Sequence, residues 1–236
     1  MPAALSVIVP VYNESSTLAR VVSDLERTLE SANVGEFEII VVDDGSNDGS
    51  AKMIPSDVNH TYIISNAKRL GSGAARKMGS RRAKGRIVAW IDGDGTYSAA
   101  SLVTALDCLG DADQTIGART TDFGRVRLLR LWVKKVTSAV AGFLWMTPIS
   151  DLNSGLRVFR REKLMVWLDE LPNGFSCTTT ATLAAINHRQ TIAFVDINYS
   201  SRSSEGTSKF HPIWDTFRLW RTVWRMWRKK SARTRC

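Results

Sequence analysis

An α/β fold, with a mostly parallel sheet flanked by helices, is predicted by three features of this 236-residue chain. Short apolar runs alternate with helical-period segments as far as about residue 118. The fourth run, IVAWI (Ile87–Ile91), is continuously apolar and stops at DGDG, as a buried strand does. Polar, carboxylate-bearing residues end three of the runs, and ligands of such sheets bind beyond the carboxyl ends of the strands.

The elements follow in order. Leu5–Val9 is a strand ended by Pro10, and Leu18, Val21, Val22, Leu25 and Leu29 recur at helical spacing. Phe37–Val42 is the second strand, stopped by DDGSNDGS, and Thr61–Ile64 a weaker third. A turn at Gly71 and Gly73 opens a basic helix to about Ala83, and Ile87–Ile91 follows. In the second half, 125–146 is a basic then apolar helix, 151–159 a strand, 176–188 a Thr-rich helix and 192–199 a strand. Ser200–Ser208 is polar and small, the composition of a mobile flap. No repeat and no domain linker is visible.

Composition narrows the classes. An apolar content of 44% suits a globular core and excludes disorder. Three widely spaced cysteines (Cys108, Cys177, Cys236) without a CxxC pair predict free thiols in a reducing compartment. The first residues lack a basic leader, and the apolar stretch Ala139–Met146 is far shorter than the roughly 20 residues of a membrane span. The expectation is therefore a cytoplasmic protein that does not cross a bilayer. A net charge of +9 points to an anionic partner, and eight Lys or Arg with no acid fall between Thr216 and Cys236.

The rim carries the chemistry: Tyr12 and Glu14, then Asp43 and Asp44, then Asp92 and Asp94. Two carboxylates one residue apart repel unless a cation sits between them. A solvated turn is the ordinary reading of such a pair. Directly after a buried strand a hard divalent ion, Mg²⁺ or Mn²⁺, is favoured, because these ions take carboxylate and phosphate oxygens. VVDDGSNDGS is a turn in its own right, and a carboxylate at its strand end can accept N–H donors from a uracil or guanine ring. GSGAAR (Gly71–Arg76) is at most a weak phosphate-cradling turn, and no GxxxxGK[ST] loop is present.

PVYNE (Pro10–Glu14), VVDDGSNDGS (Val41–Ser50), DGDGTY (Asp92–Tyr97), GAR (Gly117–Arg119), DLNSGLRVFRR (Asp151–Arg161) and SKFHP (Ser208–Pro212) occur in that order. Together they resemble the family 2 inverting glycosyltransferases of GT-A fold, and are most similar to the branch of dolichol-phosphate mannose synthases and bacterial polyprenyl-phosphate glycosyltransferases. The resemblance implies a nucleotide-sugar donor, GDP- or UDP-linked, and a lipid-phosphate acceptor. It places Pro10, Tyr12, Glu14 and Asp43 around the nucleoside, Asp92 near ribose or metal, and Asp94 on the metal. Thr96 stands where relatives often carry a Gln and would be the third ligand. Arg119 matches the Arg that follows the sheet in the lipid-carrier enzymes, Lys134 and Ser138 a basic residue and a Ser near the acceptor phosphate, Arg157 the SGxR arginine, and Arg202 and Lys209 a pair on the flap over the diphosphate. It also implies one GT-A domain over 1–211, with a nucleotide-binding half (1–118) and an acceptor half (119–211), followed by a basic tail (212–236).

A departing diphosphate needs positive charge, which a metal with Arg and Lys supplies. A phosphate acceptor is already anionic and needs no strong base, whereas a hydroxyl acceptor would, and Asp151 is the nominee for that base. In the tail, Phe217, Trp220, Trp224 and Trp227 share one helical side and Arg218, Arg221, Arg225 and Arg228 the other. Such a helix suits an anionic membrane surface, peripheral on the inner face; the bland alternative is a helix packed on its own domain. A nucleic-acid patch lacks any accompanying motif. The enzyme reading competes with a non-enzymatic basic binding module, against which the intact DGD and PVYNE argue.

Overall fold

The computed structural model describes residues 4–54, 58–119, 127–174, 176–200 and 220–228, with the side chains of 127–135 outside that description. Seven strands form one sheet: β1 (Leu5–Val11), β2 (Phe37–Asp43), β3 (Thr61–Ser65), β4 (Ile87–Trp90), β5 (Gln114–Arg119), β6 (Arg157–Arg160) and β7 (Ile192–Ile197). Their order is β3-β2-β1-β4-β6-β5-β7, and only β6 runs antiparallel to its neighbours. The helices are α1 (Leu18–Ser31), α2 (Ser72–Arg82), α3 (Ala99–Asp107), α4 (Arg127–Trp145), α5 (Arg161–Met165) and α6 (Cys177–Asn187). A last helix, α7, covers 220–228.

The period of two in the strands divides the apolar residues between two cores. Val7, Val9, Val11, Ile39 and Val41 face α1 and α3, packing on Leu18, Val21, Leu25, Leu29 and Leu102. Ile8, Ile40, Val42, Val88 and Trp90 face the other way, onto Ala75, Trp145, Trp167, Leu183, Val223 and Met226. Both faces are covered, which is why β1 and β2 read as nearly continuous apolar runs, broken only by the hydrogen-bonded pair Ser6 and Glu38 and the terminal Asp43.

Three expectations shift. The segment 151–156 is a loop and only 157–160 pairs as strand, because Asp151, Asn153, Ser154 and Gly155 direct their polar groups to side chains and turns instead of a ladder. The last strand stops at Ile197, and Tyr199 instead makes an isolated bridge to Tyr97. The tail helix docks on the domain: Thr222, Val223 and Met226 are buried, while Trp220, Trp224, Arg221, Arg225 and Arg228 lie exposed together. The division into a Trp side and an Arg side therefore does not describe its packing. Cys108 and Cys177 are free thiols, and no helix among the described residues is long and apolar enough to cross a membrane.

Candidate active site

The strand order reverses between β1 and β4. From β1 the sheet grows through β2 to β3 on one side, and the chain then returns to place β4 on the other. The loops after these two strands diverge over a crevice at their carboxyl ends, the usual ligand position in an open α/β sheet. PVYNE follows β1 there and DGDGTY follows β4. Thr17, just before α1, ties them by donating its hydroxyl to the Gly93 carbonyl at 3.1 Å.

On the β1–β2 side, Asp43, Asp44 and Asp48 are held by main-chain donors. Asp43, buried at the end of β2, accepts from the Ser46 N–H at 2.9 Å. Asp44 accepts from the N–H groups of Leu70 (2.8 Å) and Gly71 (2.7 Å) and from Asn66, and so anchors the loop that opens α2. Asp48 accepts from the N–H groups of Ser15 and Ser50 and from the Ser50 hydroxyl. Burial pushes its carboxyl up, but these donors outweigh burial and lower it to about 2. Asn13 takes a positive φ of 54° and accepts from the Asn47 N–H, locking PVYNE onto this turn. The Arg69 guanidinium lies 4.1 Å from the centroid of the Tyr12 ring, a cation placed on a residue predicted to line the nucleoside pocket.

On the β4 side, Asp94 accepts from the Thr96 hydroxyl at 2.7 Å and the Thr96 N–H at 3.1 Å. Thr96 itself is buried, so its position aims the carboxylate. Asp92 is ion-paired with Arg76 of α2. That guanidinium is buried, which lowers its affinity for the proton, yet the charge of Asp92 prevails and the group is held above its ordinary value. At Gly155 a Cβ would collide with the Asp92 carboxylate, so glycine is the residue that lets the NSGLR loop close on the DGD turn. The Gly155 N–H donates to the Tyr97 hydroxyl at 2.8 Å. Burial pushes that phenol up to about 12, with Asp92 adding to the effect and Arg119 opposing it.

Arg119, at the end of β5, bonds Asp151 through two guanidinium nitrogens, Nε at 2.8 Å and Nη2 at 3.1 Å, and donates its main-chain N–H to the same carboxylate. Its cation lies 5.4 Å from the Tyr199 ring centroid, and Tyr199 stacks edge-on against Tyr97 at 5.2 Å. Tyr199 is pushed up by burial, against Arg119, and also feels the charges of Asp94 and Asp92. Arg119 and the two carboxylates thus share one electrostatic neighbourhood.

Two nominated residues sit differently from their expected roles. Asp151 has a side chain 0% exposed and committed to Arg119, the geometry of a group that positions a cation and not of a base meeting a hydroxyl. Arg157 is also fully buried and donates to the Ser154 carbonyl (2.9 Å), the Thr182 hydroxyl (2.9 Å) and the Leu152 carbonyl (3.1 Å). It clamps the 152–154 loop from beneath. Burial lowers it to about 10 despite the charge of Asp151. Ser138 of α4 is buried, and its hydroxyl has no hydrogen-bond partner among the described residues. Lys134 lies on α4 by its backbone, with its side chain outside the described residues, as are Arg202 and Lys209 altogether.

Sequence reasoning missed Arg76, Arg69, Gly155 and Tyr199. Arg76 ends GSGAAR, whose basic residue on a helix start was the available signal. Tyr199 had none, because its role depends on β7 lying beside β5.

A doubly covered, mostly parallel sheet with a DGD turn at its switch point defines the class, a GT-A glycosyltransferase. The chain belongs to Glycosyl transferase family 2, whose profile matches residues 6–167. It is 28% identical over 219 residues to Glycosyltransferase AglJ of Haloferax volcanii, covering 91% of this chain and 69% of that protein. It is 29% identical over 216 residues to polyprenol monophosphomannose synthase of Mycolicibacterium smegmatis, covering 86% and 79%. Among solved structures, glucosyl-3-phosphoglycerate synthase of Mycobacterium tuberculosis, in complex with Mn²⁺, UDP and glucosyl-3-phosphoglycerate, superposes with a TM-score of 0.70. That likeness, at 19% identity over 97% of this chain and 80% of that one, is one of fold.

Proposed function

We propose that this glycosyltransferase moves a sugar from a GDP- or UDP-linked donor to a polyprenyl or dolichyl phosphate at the cytoplasmic face of a membrane, with Mg²⁺ or Mn²⁺ as cofactor. The observation that carries the reading is the convergence of Asp92, Asp94 and Arg119 through Tyr97, Tyr199 and Gly155 at the carboxyl end of β4. The similarity to a polyprenol monophosphomannose synthase supports the acceptor class.

The residues fit a divalent ion. Asp92 and Asp94 are hard oxygen donors, each held by a partner. When bound, the ion supplies positive charge against the departing nucleoside diphosphate. Tyr12 and Asp43 bind the nucleoside, Asp43 accepting from the base. Arg119, fixed by Asp151, adds a preorganised cation where charge develops on the leaving group or the acceptor phosphate. The resemblance assigns Ser138 and Lys134 to the acceptor phosphate, and Arg202 and Lys209 to the diphosphate. An acceptor phosphate oxygen attacks the anomeric carbon as the bond from that carbon to the diphosphate oxygen breaks. No proton has to be removed from the acceptor, in keeping with the burial of Asp151.

The test is incubation of the purified protein with labelled UDP- and GDP-sugars, Mn²⁺ or Mg²⁺, and a polyprenyl phosphate, with label counted in the organic phase. Metal-dependent label from one donor is the expected result. Label confined to a water-soluble product would move the acceptor to a hydroxyl and reject the lipid.

A further inference from the structure

We infer that α4 and α7 together form a surface that docks on an anionic phospholipid bilayer, which extends the membrane reading above from the tail to the body of the domain. The outer side of α4 and its following turn exposes Val136, Ala139, Phe143 and Met146, spaced by three and four residues, with Phe143 83% and Met146 91% exposed. The opposite side of the helix buries Thr137, Ser138, Ala141 and Trp145. A helix with this division has an apolar stripe without a partner among the described residues, which a water-exposed enzyme surface does not ordinarily keep.

α7 lies at the end of that stripe. The Asn187 side chain joins the two helices, accepting from the Trp145 indole at 2.7 Å and donating to the Met226 carbonyl at 3.3 Å. With Val223 and Met226 turned inward, the outer side of α7 presents Trp220, Arg221, Trp224, Arg225 and Arg228, and Trp224 is 59% exposed. Tryptophan and arginine side by side are the pair that a headgroup region accommodates, the ring at the acyl boundary and the cation on lipid phosphate.

Charge selects the occupant. Residues 127–146 and 220–228 contain no Asp or Glu, and the first half of α4 carries Arg127, Arg130, Lys134 and Lys135 in its sequence. Two copies meeting through these helices would oppose cation to cation, whereas an anionic bilayer complements them.

The experiment is co-sedimentation of the full chain with phosphatidylglycerol–phosphatidylcholine vesicles, without donor or metal. The wild type should bind these and not pure phosphatidylcholine. Phe143→Ser with Met146→Ser should weaken binding about tenfold, as expected for two apolar side chains leaving the interface. Arg221→Gln, Arg225→Gln and Arg228→Gln combined should weaken binding at low salt and reduce its salt dependence. All five positions are exposed, so folding is spared. Unchanged binding in either variant, or a wild type that ignores anionic vesicles, overturns the surface. So does a wild-type dimer, by sedimentation velocity, that the Phe143/Met146 variant converts to monomer with vesicle binding unchanged. Transfer to a short-chain polyprenyl phosphate dispersed in detergent separates this from the acceptor reading: the Phe143/Met146 variant should keep it. A wild type that binds vesicles but transfers nothing refutes the acceptor and leaves the surface standing.

Discussion

The β1–β2–β4 rim and the Arg119–Asp151–Arg157 region hold their charges in opposite ways. Around the rim, carboxylates are fixed mainly by main-chain N–H groups of their own turns: Asp43 by Ser46, Asp94 by Thr96, Asp48 by Ser50. In the second region, ions in or against the interior are fixed by side chains of other segments, Arg119 by Asp151 and Arg157 by Thr182. The first arrangement presents oxygens to a ligand. The second builds a rigid support behind it, where losing one partner leaves a charge stranded without water.

The contrast can be broken from either side. Asp94→Ala should lower transfer by about 10³-fold, the scale of removing one preorganised electrostatic group, with an unchanged urea midpoint. Arg157→Met should do the reverse. Three acceptors lose their donor in the interior, and stability should fall by about 3 kcal/mol in urea titration while the folded fraction keeps most of its turnover. Loss of turnover at full stability would return Arg157 to direct contact with substrate.

Gly155→Ala probes the seam between the two regions. The added methyl displaces Asp92 against its Arg76 partner, and an ångström-scale shift of a site carboxylate should cost about 10²-fold in turnover with little change in melting temperature. Wild-type turnover would mean that Asp92 need not hold this position.

The smallest effect concerns Asp48. Its folded-state carboxyl is lowered from 3.8 to about 2, so its contribution is present above pH 3.8 and lost as pH falls through about 2. Asp48→Asn should therefore reduce stability at neutral pH by about 0.5 kcal/mol, a figure discounted for solvent exposure, with the difference vanishing below pH 2. Chemical denaturation across that pH range measures it.

The donor rim was legible in the chain because its signals are local. An apolar run followed at once by Asp-Gly or Asp-Asp-Gly states both the strand and the group at its end, and β1, β2 and β4 matched within two residues. The acceptor side was legible only as residue types. DLNSGLR named Asp151 and Arg157, but whether they face substrate or core depends on where α6 passes, and α6 sets Thr182 against Arg157 and Thr178 against Asn153 of the same loop. The tail repeated the lesson: helical spacing identified an amphipathic helix, yet which of its residues turn inward was set by the groove beside Asn187.

The sequence by itself determined the α/β class, the order of its first strands and the carboxylates at their ends, since these follow from hydrophobic period and turn chemistry over a few residues. Tertiary structure alone decided that Arg76 pairs with Asp92, that Asp151 and Arg157 are buried supports, that Tyr199 joins the site, and that α4 shows Phe143 and Met146 to the outside. Each of these rests on contacts between segments tens of residues apart, where burial and the low dielectric of the interior assign the role, and no local pattern encodes that environment.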